Sequence, residues 1–145
     1  MPYGPVDPEY VLLRVDGADG SPRALLVHYA THAVVLGPTN CKYSADYPGA
    51  MQAKVEQELA GTQVMFVQGG AGDINPIFMA RSGDEARDFA VVKTMGELLA
   101  DGVIRTQRNA TPVPDGPEGI TANRQVIAAA FSPEVLEDGA NSNII

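Results

Sequence analysis

The chain has 145 residues, 45% of them hydrophobic and 19% charged, with a formal net charge of -8. Those proportions fit one soluble globular domain with a buried core. The acidic balance excludes nucleic acid as a partner, whose phosphates demand Lys and Arg, and excludes docking on anionic lipid through a basic patch. Cys41 is the only cysteine, so neither an intrachain disulfide nor a cysteine-based zinc cluster is possible. No apolar run reaches the ~20 residues that span a bilayer. The opening MPYGPVDPEY has neither the basic nor the apolar part of a signal peptide.

In chain order, YVLLRV (10–15) and RALLVHYATHAVV (23–35) are β-rich runs on either side of the turn-dense DGADGSP, which predicts a hairpin. The second run is apolar on both faces, which places it centrally in a sheet. GPTNCKYSADYPG (37–49) is a loop. From Asp46 as N-cap, with Pro48 in the first turn, the pattern predicts a helix. Met51, Val55 and Leu59 form its apolar stripe, and Gly61 ends it. TQVMFVQ (62–68) predicts a strand and GGAGDINP (69–76) a tight loop after it. Ser82 and Glu85 make a capping box before a long helix to about Arg105, with a stripe of Phe89, Val92, Leu99 and Val103. Residues 109–119 form a turn-rich linker, 120–131 a last strand, and 132–145 a frayed tail. The order ββαβαβ implies an α/β fold, a layered mixed sheet flanked by helices.

Three stretches can carry chemistry. His28 and His32, the only histidines, are four residues apart, a spacing that shares one face of a helix or of a strand. Tyr29, Ala30 and Thr31 between them favour a strand, and no Glu follows His28, so this is not the His-Glu-x-x-His helix of a zinc protease. Both histidines can hold one metal, one can ligate while the other packs, or both can be satisfied core residues. A catalytic zinc wants three protein ligands and an open position, and two histidines leave that site underdetermined. In QGGAGDINP the glycines let backbone approach a ligand closely, or simply make a tight turn. The stretch lacks the Gly-Lys-Ser/Thr of a phosphate loop and the ligand pattern of a calcium hand. In SADYPG, Ser44 and Asp46 can orient a substrate, and Asp46 can cap the helix. Cys41 reads as a packing residue rather than a nucleophile.

Together, GPVDPEYVLLRVDGADGSPRALLVHYATHAVVLGP, SADYPG and FVQGGAGDINP, in that order and spacing, resemble the amino-terminal domain of the neutral/alkaline non-lysosomal ceramidase family. The resemblance runs from about residue 4 to about residue 108. It implies a zinc-dependent amidohydrolase that splits an N-acylated sphingoid base, or a related N-acyl lipid amide, into fatty acid and amine. It implies that His32, in the Ala-Thr-His segment, is a ligand of the one zinc ion, and that His28 packs or lies behind it. With the 72–76 loop lining the substrate cleft, the catalytic candidates are Asn75, at the family's serine position, and Asp73, and the substrate-binding candidates are Gly72, Ser44 and Asp46.

Two departures weigh against activity. The family carries a catalytic serine where Asn75 stands before Pro76. An amide can donate to a developing oxyanion but cannot act as a nucleophile. The family's first zinc histidine lies upstream of the segment matched here, and its Glu and Tyr ligands lie downstream. The chain therefore reads as an internal, partial domain that keeps one zinc ligand of four, inactive by itself and in need of flanking segments or another chain. The alternative is a non-catalytic α/β domain, decayed or split, that at most binds a partner chain. The family is often secreted or membrane-associated, but this chain carries no address.

Overall fold

A computed structural model describes residues 7–111 and residue 113. The expected strand over 120–131, the expected tail and most of the expected linker lie outside the described residues.

The hairpin forms as expected. Strand β1 (Tyr10–Asp16) pairs antiparallel with β2 (Pro22–Tyr29). In the turn, Gly17 N–H donates to the Ser21 carbonyl at 2.8 Å, and Gly20 takes a left-handed φ of 76° that favours glycine. The Asp19 carboxylate accepts from the Ser21 hydroxyl and amide at 2.6 and 3.1 Å. Those bonds hold its pKa below the ordinary carboxylate range.

Helix α1 (Asp46–Glu58) then carries the chain back across the sheet, and β3 (Gln63–Gln68) lies parallel to β2. The strand order is β1-β2-β3, so β2 is central, as its two apolar faces suggested. It stops at Tyr29, however, and not near Val35. Gly69 donates the last ladder bond to the Tyr29 carbonyl at 2.9 Å, and beyond it β3 offers no further partner. Helix α2 (Glu85–Gln107) completes the described chain. The result is a mixed three-stranded sheet with helical cover, a small α/β unit.

Alternation along the strands decides which face is covered. Leu25, Val27 and Val64 point to the helices and meet Met51 and Val55 of α1 and Ala100, Val103 and Ile104 of α2. A second cluster of Val35, Leu36, Tyr47, Ala80 and Val92 continues the core under the loops. On the other face, Val11, Leu13, Val15, Met65 and Val67 are between 40% and 58% exposed. Both helices therefore pack on the same side of the sheet.

The helices meet at Gly96. A Cβ there would lie 2.7 Å from the Tyr47 carbonyl oxygen and 2.8 Å from the Met51 nitrogen, both backbone atoms of α1. Lys54 and Asp101 add an ion pair across the same contact at 2.6 Å. At the far end of α2, the Arg14 guanidinium donates to the Gln107 carbonyl and side-chain oxygens at 2.9 and 3.0 Å, which ties the last turn to β1.

The helix starts differ from expectation. Helix α2 begins at Glu85, so Ser82 lies too far upstream to cap it. Asp84 is the N-cap and accepts from Arg87 N–H at 3.1 Å. The Ser82 hydroxyl and amide instead donate to the Asp88 carboxylate at 2.6 and 3.0 Å, and Glu85 pairs with Lys42. At α1, Asp46 gives no ordinary cap. Its carboxylate accepts from the adjacent Tyr47 N–H at 2.7 Å and from two loop amides, not from the second or third amide of the helix.

Two outcomes follow. Gly96→Ala forces the helix backbones apart and should cost about 1–3 kcal/mol, read as a lower urea midpoint. The Ser82 bonds hold the Asp88 pKa down, so their contribution is present above the ordinary aspartate value of about 3.9 and fades as pH falls through the lowered one. The protection of amides over 82–88 relative to their intrinsic exchange rates should therefore fall on acidification below about pH 4, before the core of α2 opens.

Candidate functional site

Parallel pairing sends β2 and β3 off the sheet at the same end, where open α/β sheets usually bind ligands. The segment after β2 carries His32. The segment after β3 carries Gly69 through Pro76. The two segments join directly. His32 N–H donates to the Ile74 carbonyl at 3.0 Å, and the His32 Nε2 lies 2.9 Å from the Gly72 carbonyl oxygen. A carbonyl only accepts, so Nε2 is the donor in this contact and Nδ1 faces away from it. Gly72 takes a φ of 44°, a left-handed conformation that turns the loop back toward the histidine.

His28 lies on β2 and belongs to a different environment. A Cβ on Gly69 would sit 2.8 Å from His28 Nε2, so the ring rests on that glycine, and it is not paired with His32. The two imidazoles meet different partners, Gly69 for His28 and the Gly72 carbonyl for His32, because the chain leaves the strand at Tyr29.

Asn75 and Asp73 are exposed on the second loop. Asn75 lines a cavity of about 480 Å³ with Thr31 and Pro76, and the rest of its wall is largely apolar, including Phe78, Leu98 and Leu99. Ser44 and Asp46 line a separate hollow beside Phe89. The Ser44 hydroxyl accepts from Asp46 N–H at 2.9 Å. Asp46 is buried, and its carboxylate accepts from the amides of Val35 and Leu36, both at 3.2 Å, as well as from Tyr47. Asp46 also has a φ of 49°, in a region that side chains other than glycine rarely occupy.

Tyr47 was not evident from the sequence. Fully buried, it donates from its hydroxyl to the Thr31 carbonyl at 2.6 Å and sets its ring edge-on against Phe66, with centroids 5.8 Å apart. Burial, with smaller contributions from nearby Tyr29 and Asp46, pushes the phenol pKa well up, so the hydroxyl stays a donor. No local pattern announces it, since its partner is sixteen residues away. Cys41, expected to pack, is exposed, because its loop runs over the surface beside Lys42 and Glu85.

Among the described residues, no three His, Cys, Asp or Glu side chains come together to hold a metal ion. His32 is a single donor, and the described residues do not by themselves fit a zinc ion. No described helix is long and apolar enough to cross a membrane.

No family model matches the chain, and no curated protein matches it. Among solved structures, the chain is similar to a neutral ceramidase from Pseudomonas aeruginosa, at 19% identity and a TM-score of 0.59. The match covers 69% of this chain and 17% of that one. At that identity the likeness shows a shared fold, and the chain spans about a sixth of the length of the enzyme it resembles.

Removing the Asp46 carboxylate leaves buried amides without an acceptor. Asp46→Ala should destabilise the chain by about 3 kcal/mol, read by urea unfolding. It should also accelerate amide exchange at Val35 and Leu36 first.

Proposed function

We propose that the chain is a segment of a ceramidase-like amidohydrolase that acts on the amide of an N-acyl lipid, with zinc as the family's cofactor. The observation that carries this reading is the joining of His32 to the Gly72–Asn75 loop beside an apolar cavity. The likeness of fold to a neutral ceramidase supports it. In this reading His32 is the imidazole at the centre. Its Nε2–H bond to Gly72 is the kind of backing contact that orients a metal-ligating histidine. Asn75 donates to the amide oxygen as negative charge develops on it, and Asp73 supplies a carboxylate on the same loop. The cavity wall receives the apolar part of the substrate. The Asp46 carboxylate is engaged by three amides, whereas the Ser44 hydroxyl accepts from Asp46 N–H and keeps its own proton to offer a substrate. A centre built on one imidazole needs donors from outside the described residues.

A second reading, a non-catalytic domain that binds a partner chain, is favoured by that single donor and by the open apolar face of the sheet.

Zinc titration of the full chain, followed on the two histidine ring signals, separates the roles. Zinc should perturb His32 and not His28. His32→Ala should abolish the response and His28→Ala should keep it, with a loss of stability instead. Equal loss in both variants would sink the assignment. Hydrolysis of a fluorescent N-acyl sphingoid amide that needs both zinc and His32 supports the enzyme reading. Binding of zinc without hydrolysis favours the second.

A further inference from the structure

The peptide between Thr31 and His32 is held at both ends. Its carbonyl accepts from the Tyr47 hydroxyl at 2.6 Å, and its N–H donates to the Ile74 carbonyl at 3.0 Å. Peptide planarity makes those two bonds fix one rigid plane, and with it the position of the His32 Cα from which the side chain leaves. The downstream end of the same loop is held by the neighbouring residue, since Asp46 accepts from Val35 and Leu36. One pair of adjacent residues, 46 and 47, thus grips both ends of the 31–36 loop.

Neither member of the pair is free to move. The Tyr47 ring is fully buried against Phe66 of the central sheet. Asp46 sits in a left-handed conformation that is unfavourable for an L-residue, so its place depends on the three amides it accepts from. Strain of that kind persists only where the surroundings over-determine it.

We infer that Tyr47, held in place by Asp46, is a positioning residue for His32, acting through the Thr31 carbonyl to keep the imidazole Nε2–H on the Gly72 carbonyl and Nδ1 free. This rests on the reading of His32 as the working imidazole, but its test requires no metal. Tyr47→Phe keeps the ring and its packing and deletes only the donor. The readout is the nitrogen shifts of the two histidine side chains in the metal-free full chain, which report the tautomer of each ring.

In the parent chain His32 should be a single Nε2–H tautomer. In Tyr47→Phe it should become a mixture of tautomers, with His28 unchanged and the His32 amide exchanging about tenfold faster. A folded Tyr47→Phe with an unchanged His32 tautomer overturns the inference. So does an equal change in both histidines, which would mean a general loosening. Should Tyr47→Phe fail to fold, Asp46→Asn, which keeps the shape but weakens the acceptor, gives the same readout. A smaller shift at His32 alone supports the inference, and no shift overturns it. Absence of zinc binding with a tautomer that does respond to Tyr47→Phe would defeat the proposed function and leave this inference standing.

Discussion

The parallel pairing of β2 with β3 is the constraint on which the rest depends. Six consecutive residue pairs, from Ala24 with Gln63 to Tyr29 with Gln68, align the two strands in the same direction. Parallel neighbours require a crossover, and α1 is that crossover. Its consequence is spatial. Two loops far apart in the chain leave the sheet side by side, so that His32 can reach Gly72. Antiparallel pairing would have sent them to opposite ends. The crossover is held down by close backbone approach at Gly96, and the same first turn of α1 that Gly96 touches also carries Tyr47.

The covered face of the sheet accounts for the stability of the unit, and the open face is of a different kind. The row Leu13-Leu26-Met65 runs across all three strands with apolar side chains only, and Val11 and Val67 flank His28 in the next row of the same face. On a chain of net charge -8, that neutral apolar surface stands apart from the rest. Contiguous apolar faces of this kind characteristically meet other protein.

At the sheet end, buried polar groups are all put to use. Among the described residues no buried side-chain nitrogen or oxygen lacks a partner. Asp46 is buried but satisfied by three amides, which removes the penalty for an isolated buried carboxylate. The cost of its backbone conformation is offset in the same place. Rigidity is therefore concentrated in the segment that carries His32, while Asn75 stays exposed where it lines the cavity and Asp73 is exposed on the same loop.

Local patterns in the sequence determined the elements. Two β-rich runs around a turn-dense stretch marked the hairpin, apolar residues on both faces marked the central strand, the spacing of Met51 and Val55 marked α1, and the stripe from Phe89 to Val103 marked α2. These are short-range effects, since propensity and amphipathic periodicity act within a few residues. The motifs around His32 and Asn75 carry the resemblance in the sequence, and the chain shares its fold with part of a neutral ceramidase. Tertiary structure alone decided where β2 ends, that His28 rests on Gly69 away from His32, that Asp46 serves the loop rather than the helix, and that Tyr47 reaches Thr31. Each of those depends on a partner ten to forty residues away, brought close by the crossover and by burial, and no local pattern encodes such a meeting.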